Sequence, residues 1–170
     1  MSSYIALLRA VNVGGTGKLP MTELKLMCEK AGFTRVKTYI ASGNVVFQSA
    51  KSESQVKKSL ETSLEAHAGK PVGVLVRTAE EMTAVVAANP FPKAPTNKTV
   101  AIFLDSPPPA NALEGVANQT TEELRLGKRE IYGYYPDGQG QSKLRIPAAK
   151  TGTARNMNTV AKLAEMAACL

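Results

Sequence analysis

Tryptophan is absent, and aromatic residues make up only 5% of the 170-residue chain. The core must therefore be aliphatic, and base stacking has few rings to draw on. There is one histidine, His67, and there are two cysteines, Cys28 and Cys169, far apart in the chain. Two separated thiols and one imidazole do not build a zinc site of the usual kind, so no metal centre is expected. No apolar run approaches the roughly 20 residues that span a bilayer, and no membrane partner is expected. The chain opens on an apolar, strand-like segment, not on a basic and then apolar leader, which predicts a cytoplasmic protein. The net charge is +7, yet no run of Lys or Arg resembles a basic arm. A surface of this sign attracts phosphate-bearing partners, nucleic acid included; the plain alternative is a solvated basic surface. Acidic residues do not gather in the polar turns. Glu23 and Asp137 are the only carboxylates near them, which leaves little support for paired acid–base chemistry.

What the chain does have is a polar, glycine-rich turn over residues 9–18, RAVNVGGTGK. It follows an apolar strand and precedes a helix that Pro20 can open, where a missing N–H costs nothing. Standard nucleotide motifs fail on it. A Walker A loop would need Gly at 12 and Ser or Thr at 19, and the chain has Asn12 and Leu19. The dinucleotide pattern would need Gly at 20, and Pro20 is there. What survives is physical: backbone N–H groups at a helix start present themselves to an anion, and Arg9, Asn12 and Lys18 crowd onto the turn. The alternative is an ordinary strand-to-helix turn with Lys18 solvated.

Hydrophobic spacing then sets the order of elements. Residues 4–8 read as a strand and 21–31 as a helix that Gly32 stops. Residues 36–40 and 45–48 read as strands around a turn at Ser42-Gly43-Asn44. Ser52 with Gln55 forms a capping box for a helix that ends at Gly69. Residues 72–76 read as a strand. Thr78 with Glu81 caps a further helix that Asn89-Pro90 ends. This β-α-β-β-α-β order is the ferredoxin-like one. Prolines 90, 92 and 95 then suggest a linker. Beyond it come a strand at 99–104, a weak helix at 112–116, a hairpin of 122–126 and 130–135 around Gly127-Lys128, and a loop at 136–142. A short strand at 144–146 and a helix from about Met157 complete the chain. The expected architecture is α+β: a tandem of two ferredoxin-like (α/β-plait) units, at 1–89 and 99–170, joined by 90–98.

Two more polar stretches could carry a site. In a β-α-β-β order the first and third strands are neighbours, so Ser42 and Asn44 could stand beside Arg9; alternatively, Gly43 and Asn44 only supply the positive φ of a tight hairpin. At 153–159, Arg155 offers a bidentate fork to a phosphate or carboxylate, and Asn156 or Asn158 can cap the last helix. Lys143, after the glycine loop, could reach the same place. His67 falls late in its helix, where a cation is favoured whatever the function, so no catalytic role is assigned to it. The Ser142-Lys143 pair has no nucleophilic spacing.

The stretches ALLRAVNVGGTGKLPMTEL (6–24), TYIASGNVVF (38–47), Asn89-Pro-Phe, Ser142-Lys-Leu and RNMNTV (155–160) resemble the bacterial domain of unknown function family 1697. The resemblance implies two α/β plaits in tandem and implies no activity. Two positions depart from the family pattern: Ala10 stands where it has Gly, and Met157 where it has Trp. Arg9, Asn12, Lys18, Ser42, Asn44, Lys143, Arg155 and Asn156 are therefore the expected ligand-binding residues. A phosphate-containing small molecule or nucleotide is the expected ligand; a nucleic-acid module using the basic surface and the sheet tyrosines is the alternative. No pattern names a cofactor.

Overall fold

Alternation along the first strand places Tyr4, Ala6 and Leu8 in one core cluster, as a two-residue side-chain period requires. In the computed structural model, which describes residues 1–11 and 18–170, β1 (Ser2–Leu8) is a central strand of a four-stranded antiparallel sheet. Its neighbours are β3 (Asn44–Ser49) and β4 (Val74–Thr78), and β2 (Thr34–Thr38) lies outside β3, giving the order β2-β3-β1-β4. Asn12 and the glycines of the first turn lie outside the described residues.

Two helices cover one face of this sheet. α1 (Met21–Lys30) contributes Leu24 and Cys28, and α2 (Glu53–Ala68) contributes Val56, Leu60 and Leu64, all buried against Val45, Phe47, Val74 and Val76. Pro20 is the residue before α1, not its first helical position, with φ −61° and ψ 138°. α1 ends where Gly32 takes φ +89° and the Phe33 amide donates to the Cys28 carbonyl, a Schellman closure. α2 opens on the expected capping box, with the Gln55 amide donating to Ser52 Oγ and the Ser52 amide to Gln55 Oε1. Lys57 and Glu61 of α2 reach the first residue of edge strand β4, where Val74 N donates to Glu61 Oε2 and Lys57 Nζ to the Val74 carbonyl. Side chains thus occupy backbone groups that an edge leaves open.

α3 (Ala79–Ala87) follows β4 with its own capping box between Thr78 and Glu81. A second four-stranded antiparallel sheet has the order β6-β7-β5-β8. Its strands are β5 (Thr99–Phe103), β6 (Glu123–Leu126), β7 (Glu130–Tyr134) and β8 (Thr153–Asn156), and α4 (Met157–Ala168) follows β8. Contacts group the chain into two compact units, one of Met1–Thr83 with Lys162–Leu170 and one of Ala84–Ala161.

Several local expectations fail for physical reasons. The helix at 112–116 is a series of turns, closed by three-residue hydrogen bonds such as Ala112 N to the Pro109 carbonyl. Five residues cannot repay helix nucleation. The strand at 144–146 reduces to one bridge between Ala117 and Arg145. Leu113, Val116, Leu144 and Ile146 pack on the core of this sheet, so loops do there what α1 and α2 do in the first unit. β8 was not expected, since its residues show no alternation. Its ladder comes from β5, with Val100 opposite Asn156 and Ala101 opposite Arg155.

Candidate functional site

The end of β1 and the start of β4 are antiparallel partners, Leu8 opposite Val74. The chain entering α1 and the chain leaving α2 therefore meet at one edge of the first unit. A cavity of about 440 Å³ opens there, lined by Arg9, Lys18 and Lys70 and by the imidazole of His67. Its apolar floor is made by Val11, Leu19, Leu64 and Val72. No carboxylate is among the described lining residues. His67 and Lys70 stand at the C-terminal end of α2, where a cation is favoured for the helix's own sake. Arg9 and Lys18 come from outside that helix, and its dipole does not account for them. Lys18 is exposed.

Arg9 is fixed by its backbone and its stem. Its amide donates to the Gly73 carbonyl over 2.9 Å. A Cβ at Gly73 would stand 2.9 Å from Arg9 Cδ, so a side chain there would push the arginine stem aside. Ala10 beside it has φ +51°, a left-handed angle that a side chain resists.

Ser42 and Asn44 are adjacent to β1 as expected, with the Leu8 amide donating to the Gly43 carbonyl. They do not line the cavity. Asn44 is fully buried and donates to the Tyr39 carbonyl and to Ser42 Oγ, both over 2.9 Å. Its amide closes its own turn. The positive φ angles belong to Ile40 and Gly43, not to Asn44. At Gly43 a Cβ would stand 2.6 Å from Val11 and 2.8 Å from Leu8.

Arg155 and Asn156 lie in the second unit, at the end of β8. Arg155 is buried; its Nη1 donates to Thr153 Oγ1 and to the Ala154 carbonyl. Burial pulls its pKa down to about 10. Asn156 Oδ1 accepts from the Thr159 amide and so caps α4. The same device stands at the end of β4. Arg77 is buried and its Nη1 donates to the preceding carbonyl, that of Val76, while Thr78 caps α3. Val76-Arg77-Thr78-Ala79 and Ala154-Arg155-Asn156-Met157 therefore match position by position. The sequence showed no residue-level repeat because only the arginine is identical. The match gives Arg155 and Asn156 a structural role of their own.

Lys143 lines a different cavity, of about 330 Å³, within the second unit. Glu122, which the sequence reading treated as part of a strand, is its buried centre. Ser142 Oγ donates to one carboxylate oxygen of Glu122, and the Thr120 amide donates to the other over 2.7 Å. These bonds hold its pKa down to about 2. The signal available in advance was an acid two residues beyond Thr120, where its carboxylate can take that amide.

Of the rings that base stacking would draw on, three are engaged within the fold. Phe47 and Tyr132 are buried, Phe47 stacked on Phe33 at 4.3 Å and Tyr132 donating its hydroxyl to the Val85 carbonyl. Tyr134 packs on Phe91. Among the described residues there is no group of three metal-ligating side chains, and no helix is long and apolar enough to cross a membrane.

A family model described as "Protein of unknown function" matches residues 1–132. No curated protein matches the sequence. Among solved structures, a conserved bacterial protein from Streptococcus pneumoniae is similar over 98% of both chains, with a TM-score of 0.81 and 25% identity.

Proposed function

We propose, for a chain that belongs to the DUF1697 family of proteins of unknown function, that the cavity at the end of β1 binds a phosphate-containing small molecule. The observation that carries the reading is Arg9 and Lys18 on a cavity whose described lining holds no carboxylate. An arginine fork and an ammonium are the two side chains best suited to a phosphate. The apolar floor of Val11, Leu19, Leu64 and Val72 suits the non-phosphate part of the ligand, a nucleoside or another compact ring. Asn12, three positions after Arg9 in the sequence, would orient the ligand. The strand order of each sheet supports reading the fold as two ferredoxin-like units in tandem.

Under this reading Ser42, Asn44 and Asn156 hold the fold and do not touch ligand. A thermal-shift panel of nucleotides, sugar phosphates and short oligonucleotides on wild type and Arg9→Ala tests the proposal. A ligand at about 100 times its Kd adds roughly 2.7 kcal/mol of stability. The expected result is a shift with a small phosphate compound that disappears in Arg9→Ala. A shift with oligonucleotides alone, collapsing as salt is raised, would instead identify a polyanion surface.

A further inference from the structure

The geometry points to the cavity of the second unit as a separate binding site for a neutral polyhydroxylated ligand, of the size of one monosaccharide ring. Its wall is made by two loops. Ala117 and Arg145 pair their backbones in both directions, at 3.0 and 2.9 Å. Thr121 Oγ1 donates to Asp137 Oδ2 over 2.7 Å, and Ser142 Oγ donates to Glu122 Oε2. Gln119 Nε2 donates to the Glu122 carbonyl over 2.7 Å. The loops are thus tied at three places, and the cavity between them is preformed. At about 330 Å³ it is near the small end of ligand sites, which run from about 300 Å³ upward.

The lining chooses the ligand chemistry. Asn118, Gln119, Gln141, Asp137, Lys143 and Tyr135 surround Glu122. Glu122 Oε1 already accepts from the Thr120 amide and hydroxyl, whereas Oε2 accepts only from Ser142 among the described residues. One acceptor position therefore remains on a carboxylate that its hydrogen bonds keep ionised at neutral pH. Tyr135 is buried, and its hydroxyl has no protein partner among the described residues. The Lys143 ammonium has none either and adds donors.

A ligand meeting this wall must accept and donate at neighbouring positions, which is what a ring of hydroxyl groups does. A phosphate would face two carboxylates, Glu122 and Asp137, with a single lysine. An organic cation would meet Lys143 and only one open carboxylate position. Asn118 holds φ +61° on the wall, an angle that asparagine adopts more readily than other side chains.

The test is saturation-transfer NMR on the full chain, with glucose, mannose, galactose, ribose and myo-inositol as probes. Wild type and two variants, Tyr135→Phe and Arg9→Ala, are compared. Tyr135→Phe removes a hydroxyl that no protein group uses, so the fold is retained. The expected result is saturable transfer to at least one probe, weakened about fivefold in Tyr135→Phe, as for one lost hydrogen bond. Arg9→Ala and added inorganic phosphate should leave it unchanged. Absence of transfer to every probe overturns the proposal, as does transfer undiminished in Tyr135→Phe. Transfer lost in Arg9→Ala would place the sugar in the first-unit cavity and overturn it equally.

Discussion

Ala10 keeps a left-handed backbone at φ +51° beside Arg9, an angle that glycine adopts without steric cost. Alanine there costs about 1 kcal/mol relative to an unstrained angle. Ala10→Gly should recover most of that and raise the chemical-denaturation midpoint; a lowered midpoint would show that the angle is not strained. Glu122 makes a pH-dependent contribution. Its folded pKa of about 2 lies below the ordinary 4.5, held there first by the Ser142 hydroxyl and then by the Thr120 amide. A depressed acid stabilises the fold fully above its unfolded pKa and loses that contribution as pH falls through the folded one. Urea midpoints of wild type and Glu122→Gln should therefore differ at neutral pH and converge between about pH 5 and pH 2. A constant offset across that range would contradict the assignment. Burial, and secondly Glu29, push the Cys28 thiol up to about 12, while Cys169 is exposed. One thiol should react with a maleimide in the native protein and the second only after unfolding; two fast thiols would refute the burial of Cys28. Cys28 follows Leu24 by four positions, a spacing that puts both on one helix face, so its burial has a local signature in the sequence. Glu122 was legible only in part: Thr120 is a local partner, but Ser142 lies twenty positions on and only the fold brings it near.

The two strand–arginine–cap–helix corners give a matched pair of tests. Thr78→Ala and Asn156→Ala should each destabilise by about 1 kcal/mol through loss of an N-cap. If Asn156 touches ligand instead, its alanine variant will lose binding with stability intact. Capping boxes were readable because their partners are three residues apart. The long helices were readable for the same local reason: Val56, Leu60 and Leu64 repeat at helical spacing. β8 was not, because Thr153-Ala-Arg-Asn forms a strand only through its pairing with β5. The failed helix at 112–116 shows the converse, since a few favourable residues did not suffice when loops could cover the sheet. The first and third strands are neighbours as their order predicted, yet the orientation of Asn44 depended on the Tyr39 carbonyl, which no pattern of spacing reveals.

The chain carries two four-stranded antiparallel sheets of the same strand order, and each unit holds a cavity of opposite character. That of the first unit is cationic over an apolar floor; that of the second is polar around a carboxylate. The expected site residues separate accordingly, with Arg9 and Lys18 on the first cavity, Lys143 on the second, and Ser42, Asn44, Arg155 and Asn156 engaged in turns, β8 and a cap. Gly73 bears on the proposed site, since a side chain there would displace the Arg9 stem. The most direct test is a calorimetric titration of AMP, ribose 5-phosphate and inorganic phosphate into wild type, Arg9→Ala and Gly73→Ala. Saturable heat with at least one of these in wild type is expected, abolished in Arg9→Ala and weakened in Gly73→Ala. Heat that persists unchanged in Arg9→Ala, or none with any of the three, would contradict the assignment of the first cavity to phosphate.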